Sequence, residues 1–195
     1  MKFVSGNIIE IDRELSDLDK FALDFIRILR KHIDYVIVSG YVSIILGRAR
    51  ASEDIDVIIP ATGEGEMNGL FESLKVGFYC LNTEDNADIY ENLKSGIAAR
   101  FARKGKVIPN IEMKFAKTKA DEISLSESIS VKFGGDEIKV SPLEMQIAFK
   151  ESVLKSPKDI EDARHIRNVS EGHIDGGKIS KYKVLLDGIY GRKRE

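Results

Sequence analysis

Two short apolar runs, the first ending in Ser-Gly and the second beginning with Asp-x-Asp, constrain the fold of this chain most strongly. Residues 35–40 read Tyr-Val-Ile-Val-Ser-Gly, and residues 54–59 read Asp-Ile-Asp-Val-Ile-Ile. An apolar run that ends in Ser-Gly is typical of a buried strand that breaks into a tight turn. Residues 41–46 then have the length of one short helix. The pattern predicts a strand–turn–helix–strand unit in which Asp54 and Asp56 leave the same face of the second strand, because successive side chains alternate.

Two aligned carboxylates favour a cation between them. Asp54 and Asp56 are two residues apart, so their side chains are about 5–7 Å apart and repel each other. Hard oxygen ligands suit Mg²⁺ (or Mn²⁺), which commonly combines one or two carboxylates with substrate phosphates. The backbone N–H groups at Ser39 and Gly40, where the short helix begins, are expected to attract phosphate. The alternative is an ordinary β-turn-α unit whose second strand carries two solvated aspartates.

Ser39-Gly40, the spacer and the run Glu53-Asp54-Ile55-Asp56 resemble the Gly-Ser…Asp-x-Asp signature of the DNA polymerase β-like nucleotidyltransferase superfamily. The run at residues 47–59 looks most like the small prokaryotic members, which include the minimal nucleotidyltransferases and the nucleotidyltransferase toxins of abortive-infection systems. The resemblance implies a nucleotidyltransferase sheet and a Mg²⁺-dependent reaction. In that reaction a nucleoside monophosphate moves from a nucleoside triphosphate to an acceptor hydroxyl, and pyrophosphate leaves.

The superfamily pattern needs a third carboxylate on a neighbouring strand, and Glu112 is the candidate. The alternation in residues 111–115 places Glu112 and Lys114 on one face and the apolar side chains on the other. Most members of the superfamily carry Asp at this position, so the role of Glu112 stays open between metal ligand and general base. The alternative is a half-exposed strand with a solvent-facing Glu–Lys pair.

Three cations are candidates for contact with the triphosphate. Arg48 and Arg50 lie in the spacer between the turn and the aspartates, where they are close enough to touch a triphosphate or an acceptor. Residues 141–144, Lys150 and the run at 158–162 look like the C-terminal helices of the abortive-infection-type enzymes. That resemblance implies that Lys150 reaches the β- and γ-phosphates. The alternative for all three cations is an ordinary solvated side chain.

The remaining periodicity predicts an α+β fold with a mixed sheet flanked by helices and a C-terminal helical segment, and the resemblance implies that this sheet is a nucleotidyltransferase sheet. Residues 18–33 have helical spacing after a Ser16 cap, and residues 129–140 read as a hairpin. From Ser141 onward the pattern is helical, with Ser141 as the cap. We therefore divide the chain into a nucleotidyltransferase core at residues 1–140 and a helical segment at residues 141–195 that packs on it. The last four residues, 192–195, read as a charged tail.

Composition agrees with a cytoplasmic enzyme. The net charge of the chain is −2, so the overall charge does not indicate a nucleic-acid partner. A single cysteine excludes an intramolecular disulfide, and no apolar run reaches the roughly 20 residues that a membrane span needs.

Two hypotheses about function follow. The first is a nucleotidyltransferase whose compact size favours a protein or RNA acceptor and allows a regulatory partner protein. The second is a non-catalytic nucleotidyltransferase-like module of the toxin–antitoxin type that binds a nucleotide or a partner. The Glu at position 112 and the Ser39-Gly40-Tyr41 turn, which lacks a second glycine, favour the second hypothesis.

Overall fold

The computed structural model describes residues 1–5 and 7–191 of the chain. Within this range the strands are β1 (Lys2–Ser5), β2 (Ile8–Glu10), β3 (Val36–Val38), β4 (Asp54–Ile59), β5 (Phe78–Cys80), β6 (Ala99–Arg103), β7 (Asn110–Phe115), β8 (Ile129–Phe133) and β9 (Asp136–Val140). The helices are α1 (Asp17–Leu29), α2 (Gly40–Ile45), α3 (Glu64–Leu74), α4 (Asn86–Ser95), α5 (Lys119–Ser126), α6 (Leu143–Phe149), α7 (Pro157–Val169) and α8 (Gly176–Tyr190), and a π-helical turn (Lys150–Leu154) follows α6. The predicted charged tail lies outside the described residues.

The strands form one mixed sheet in the order β1-β2-β8-β9-β3-β4-β7-β6-β5. At its centre, β4 pairs antiparallel with β3 and parallel with β7. Beyond β3 the sheet continues through the β8–β9 hairpin, and β2 pairs parallel with β8 at the far side. This architecture confirms the α+β class and the mixed sheet. No helix in the described part of the chain is long and apolar enough to span a membrane.

One face of the central strands is apolar and packs against α1. Ile55 on β4, Ile111 on β7 and Phe101 on β6 are register neighbours, and each is at most 2% exposed. Phe25 of α1 lies against Phe101, with the ring centroids 5.7 Å apart. Because side chains alternate along a strand, the other face of the same strands carries the polar residues.

Helix α1 begins at the predicted Ser16 cap, which forms part of a buried hydrogen-bond network around Asp19. The Ser16 hydroxyl accepts the Asp19 N–H at 3.2 Å, and the Asp19 carboxylate accepts the Ser16 N–H at 2.8 Å. Asp19 also accepts from Arg13 at 2.6 Å and from the Tyr41 hydroxyl at 2.7 Å. Burial by itself raises the pKa of Asp19, but these hydrogen bonds outweigh it and hold the pKa below its usual value. The network ties the start of α1 to α2, which carries Tyr41.

The predicted helix cap at Ser141 is wrong. The residue that precedes α6 is Pro142, and no side chain caps this helix. Ser141 instead extends the sheet, since its N–H donates to the Ile37 carbonyl at 2.9 Å. Its buried hydroxyl donates to the Ser124 hydroxyl at 3.1 Å. These partners leave the serine no part in the helix.

Other elements differ from the sequence prediction in their extent. The first helix ends at Leu29, short of the predicted residue 33. The β1–β2 hairpin and α5 have no counterpart among the predicted elements.

Removing the buried carboxylate of Asp19 should destabilise the fold. We expect Asp19→Ala to lower the free energy of unfolding by about 3–5 kcal/mol, because it leaves Arg13 and Tyr41 without their partner. Asp17→Ala is the matched control, since this neighbouring carboxylate is fully exposed and should cost less than about 1 kcal/mol. Urea unfolding of both variants measures the difference.

The difference in unfolding free energy between wild type and Asp19→Ala should depend on pH. The pKa of Asp19 is lowered by folding, so its contribution is present above the unfolded-state pKa of about 3.9 and is lost as the pH falls through the folded-state value. The gap between wild type and Asp19→Ala should therefore narrow in acid. A gap that widens in acid, or equal losses in the two variants, would contradict this role.

Candidate active site

Register pairing places the three predicted carboxylates on one face of the sheet. Asp56 on β4 lies directly opposite Glu112 on β7, and Asp54 lies opposite Asn110. This face is the one opposite the apolar core. The side chains of Asp56 and Glu112 are 25% and 12% exposed, whereas Asp54 is an exposed residue. β7 therefore lies beside β4, as the predicted role of Glu112 requires.

Two cations lie among these carboxylates. The Lys114 Nζ is 3.6 Å from Asp56 Oδ1 and 3.5 Å from Glu112 Oε2. Arg100 on β6 is the register partner of Glu112, and its Nη2 lies 2.5 Å from Glu112 Oε1. The alternative of a solvent-facing Glu–Lys pair fits Lys114, which is 43% exposed, but not Glu112.

Asp56 is a carboxylate in surroundings that disfavour its charge. Burial raises the pKa of Asp56 above its usual value, and the charges of Glu112 and Asp54 act in the same direction. The Lys114 ammonium and a hydrogen bond from the Ser39 hydroxyl oppose the shift without cancelling it. Additional positive charge at this face would therefore stabilise ionised Asp56.

The donor set fits a divalent cation at two of the three predicted ligands. Asp54 and Asp56 present oxygen donors of the kind that Mg²⁺ or Mn²⁺ prefers. Among residues 1–5 and 7–191, however, no three carboxylate, imidazole or thiolate side chains converge closely enough to hold a metal ion. Both oxygens of Glu112 face the cations Arg100 and Lys114 instead.

The Ser39-Gly40 turn has an unusual backbone. Ser39 has φ 66° and ψ −136°, a conformation that favours glycine and costs other residues about 1–3 kcal/mol. Its N–H donates to Gln146 Oε1 at 3.0 Å, and its hydroxyl donates to Asp56. The predicted phosphate contact through the Ser39 N–H does not fit, because Gln146 already accepts that hydrogen.

Gly40 allows a guanidinium to lie against the turn. A Cβ at this position would be 2.8 Å from Arg50 Nη2 and 2.9 Å from Arg50 Nη1, which is closer than side chains approach one another. The glycine is therefore needed for the close approach of Arg50. As a result, the turn carries a positive charge, and Asp54 is among the carboxylates whose charge acts on Arg50.

Five residues form a largely buried charge network that we call the Asp162 cluster: Arg48, Arg50, Lys150, Asp159 and Asp162. The fully buried Asp162 of α7 accepts hydrogen bonds from Arg48, from Arg50 at 2.7 Å and from Lys150 at 2.9 Å. Lys150 also lies 3.6 Å from Asp159. Three cations face two carboxylates, so the cluster carries one excess positive charge.

The solvated alternative is wrong for the three predicted phosphate-binding cations. The side chains of Arg48, Arg50 and Lys150 are 19%, 10% and 1% exposed. Burial lowers the pKa of Lys150 to about 8, against the opposing charge of Asp159. The structure brings the three together around Asp162, and their contact with a phosphate remains a prediction.

The Asp162 cluster is connected to the carboxylate face. Arg50 Nη2 lies 3.5 Å from the Ser52 hydroxyl, which donates to Asp54 Oδ1 at 3.1 Å. A cleft of about 560 Å³ begins at Ser52 and Glu53, and its other walls are α1, through Leu18 and Phe21, and the segment before β7; none of the three predicted carboxylates lines it. The carboxylate face is thus linked to the charged network through Ser52, and the cleft belongs to the α1 side.

Four residues that shape the site were not predicted to belong to it: Arg100, Lys114, Gln146 and Asp162. Lys114 had a signal, because it follows Glu112 at the spacing that shares a strand face. Asp162 lies three residues after Asp159, which places both on one side of α7. No sequence signal indicated Gln146, since its partner Ser39 is 107 residues away along the chain.

The sequence matches no profile of a known protein family and no curated protein sequence. Solved structures do match. An antigenic nucleotidyltransferase-like protein from Paracoccidioides brasiliensis is 14% identical, with 89% of this chain and 88% of that chain covered and a TM-score of 0.51. The antibiotic-resistance factor ANT(2'')-Ia matches in a solution structure, with 16% identity, 90% and 96% coverage and a TM-score of 0.54.

ANT(2'')-Ia matches again in a crystal structure in complex with adenylyl-2''-tobramycin. There the identity is 15%, the coverage is 89% of this chain and 97% of that chain, and the TM-score is 0.51. At these identities the comparisons establish the fold, which is nucleotidyltransferase-like.

Loss of the shared aspartate should destabilise the Asp162 cluster. We expect Asp162→Ala to lower the free energy of unfolding by about 3–5 kcal/mol, because three buried or partly buried cations lose their common partner. Glu161→Ala is the control, since that exposed carboxylate pairs with Arg164 one turn along the same helix and should cost less than about 1 kcal/mol. Chemical denaturation of both variants at neutral pH tests this, and similar losses would argue against the cluster.

Ionisation of the Asp56 carboxylate should lower the stability of the folded protein. Burial raises the folded-state pKa of Asp56, so the ionised carboxylate carries a free-energy penalty in the folded protein, and this penalty disappears below the unfolded-state pKa of about 3.9. We therefore expect Asp56→Asn to unfold at higher urea concentration than wild type at pH 7–8 and at the same concentration near pH 3.5. Asp54→Asn, at an exposed position, should show little change. An Asp56→Asn protein that is less stable than wild type at pH 7–8 would disprove this.

Proposed function

We propose that this protein is a nucleotidyltransferase that moves a nucleoside monophosphate from a nucleoside triphosphate to an acceptor hydroxyl. The observation that carries the proposal is the shared face of Asp54, Asp56 and Glu112 at the centre of a nucleotidyltransferase-like fold. Neither the apolar core nor the helix packing requires three carboxylates there, and their mutual repulsion lowers stability. Charge arrangements that lower stability are typical of functional sites.

Each side chain has a role in this proposal. Asp54 and Asp56 would hold Mg²⁺ (or Mn²⁺), which supplies positive charge to the triphosphate when it is bound. The nucleotide would bind over the carboxylate face, and the positive charge of Arg50 at the Ser39-Gly40 turn would attract its phosphates toward Asp54 and the metal ion.

The reaction is an in-line displacement at the α-phosphorus. The bond from the acceptor oxygen to the α-phosphorus forms while the bond between that phosphorus and the bridging oxygen of the β-phosphate breaks, so pyrophosphate leaves. In this proposal Glu112 takes the proton of the acceptor hydroxyl. The ion pair with Arg100 fixes the Glu112 carboxylate for that role.

The excess charge of the Asp162 cluster suits the leaving group. Arg48, Arg50 and Lys150 are held by Asp162 rather than free in solvent, so they do not have to be ordered again when a triphosphate binds. Arg50 brings this net positive charge up to the Ser39-Gly40 turn. There it would stabilise the negative charge that develops on pyrophosphate.

Two classes of acceptor follow from different observations. The compact chain favours a protein or RNA acceptor, together with a regulatory partner protein of the toxin–antitoxin kind. A small aminoglycoside-like acceptor is the second candidate, because ANT(2'')-Ia, which was solved with adenylyl-2''-tobramycin, matches this chain over 97% of its own length. The alternative to both is a non-catalytic module, which the engagement of both Glu112 oxygens by Arg100 and Lys114 favours.

Transfer activity should depend on the two aspartates. We expect Asp54→Asn and Asp56→Asn each to lower incorporation of label from an α-³²P-labelled triphosphate by about 100-fold or more, because an amide binds a divalent cation poorly. Asp88→Asn, which alters an exposed aspartate on α4, should leave activity unchanged. The assay uses cell lysate and Mg²⁺, followed by separation of protein, RNA and small-molecule fractions. Full activity in the Asp54→Asn, Asp56→Asn double variant would refute the mechanism.

The fraction that carries the label identifies the acceptor class. Calorimetry with each triphosphate, with and without Mg²⁺, then separates an enzyme from a binding module. Metal-dependent binding followed by pyrophosphate release supports the enzyme. Binding that ignores the metal and releases no pyrophosphate supports the module.

A further inference from the structure

The gap between Asp56 and Glu112 already contains a cation. These residues face each other across two parallel strands, and neighbouring strands lie about 4.8 Å apart. The Lys114 ammonium lies within 3.6 Å of one oxygen from each carboxylate. It belongs to the same strand as Glu112 and leaves the same face, so the strand itself delivers the charge to this position.

Glu112 differs from the two aspartates because both of its carboxylate oxygens face a cation. Its Oε1 pairs with Arg100 and its Oε2 faces Lys114. Asp54 has a different environment: it is an exposed residue, and its carboxylate accepts a hydrogen bond from the Ser52 hydroxyl. The carboxylate face therefore divides into an open Asp54–Asp56 half and an Asp56–Glu112 half that an ammonium fills.

We propose that Lys114 is a built-in cation that takes the place of a second metal ion. In two-metal sites the ions lie about 3.5–4 Å apart and share a carboxylate, and here Asp56 is shared between the open half and Lys114. The site then takes one divalent ion, at Asp54 and Asp56, and Glu112 acts on Lys114 and on the acceptor rather than on a metal. This inference rests on the proposed nucleotidyl transfer and specifies its metal requirement.

A fixed ammonium differs from a metal ion in what it offers the acceptor. It contributes one positive charge and N–H donors, but it has no ligand-exchange position that binds and acidifies a hydroxyl. Proton removal from the acceptor would therefore depend on the Glu112 carboxylate. The second positive charge of the site would also be independent of the divalent ion concentration.

The test counts bound Mn²⁺ by electron paramagnetic resonance in the full chain with α,β-methylene-ATP, which cannot transfer its α-phosphoryl group. Wild type should bind one Mn²⁺ per protein with an uncoupled six-line spectrum. Lys114→Met should bind two Mn²⁺ with the exchange-coupled spectrum of a close pair. Lys139→Met is the matched control, since Lys139 is a strand lysine whose ammonium pairs with Asp34 rather than with the site carboxylates.

The outcomes separate this inference from the proposed function. One ion in wild type and in Lys139→Met, with two in Lys114→Met, supports it. Two ions in wild type, or one ion in both wild type and Lys114→Met, overturns it and leaves nucleotidyl transfer in place. No protein-bound Mn²⁺ in any form overturns both. Lys114→Gln repeats the measurement in case the methionine variant is poorly folded.

Discussion

The parallel pairing of β4 with β7 is the constraint on which the rest of the site depends. Ile55 and Ile111 face each other in the core, and burial of this pair fixes the register in which Asp56 faces Glu112. A slip of one residue would turn the apolar side chains of one strand to the polar face, so the register is strongly specified. The hydrophobic core thus sets the separation of the carboxylates, although it makes no contact with a substrate.

Charge is then balanced by two different arrangements. At the carboxylate face, the two cations Lys114 and Arg100 face three carboxylates, Asp54, Asp56 and Glu112, so one negative charge is not offset. In the Asp162 cluster the imbalance has the opposite sign. A region short of positive charge therefore lies next to a region with an excess, and a triphosphate with its metal ion would complement both.

Local patterns predicted much of the fold, and long-range pairing explains most of what they missed. The alternation in residues 54–59 and 111–115 was enough to place the carboxylates on the polar face, because strand geometry alone decides it. The Ser16 cap was predictable because capping depends on residues that are close together in the sequence. The burial of Arg50 was not, since its partner Asp162 is 112 residues away in the sequence. Ser141 misled because it satisfies a local capping pattern but is bonded to the sheet.

Because three cations share Asp162, the sequence of this protein is constrained in how it can evolve. Its three cationic partners come from the loop before β4 and from the turn after α6. Loss of Asp162 would leave three cations facing one carboxylate, whereas loss of one cation would leave two facing two. Arg48, Arg50, Lys150 and Asp162 should therefore vary together, and a lineage that loses one of the cations first has an easier route than one that loses the aspartate. Grafting the C-terminal helices of a relative onto this sheet would succeed only if the matching loop is transferred with them.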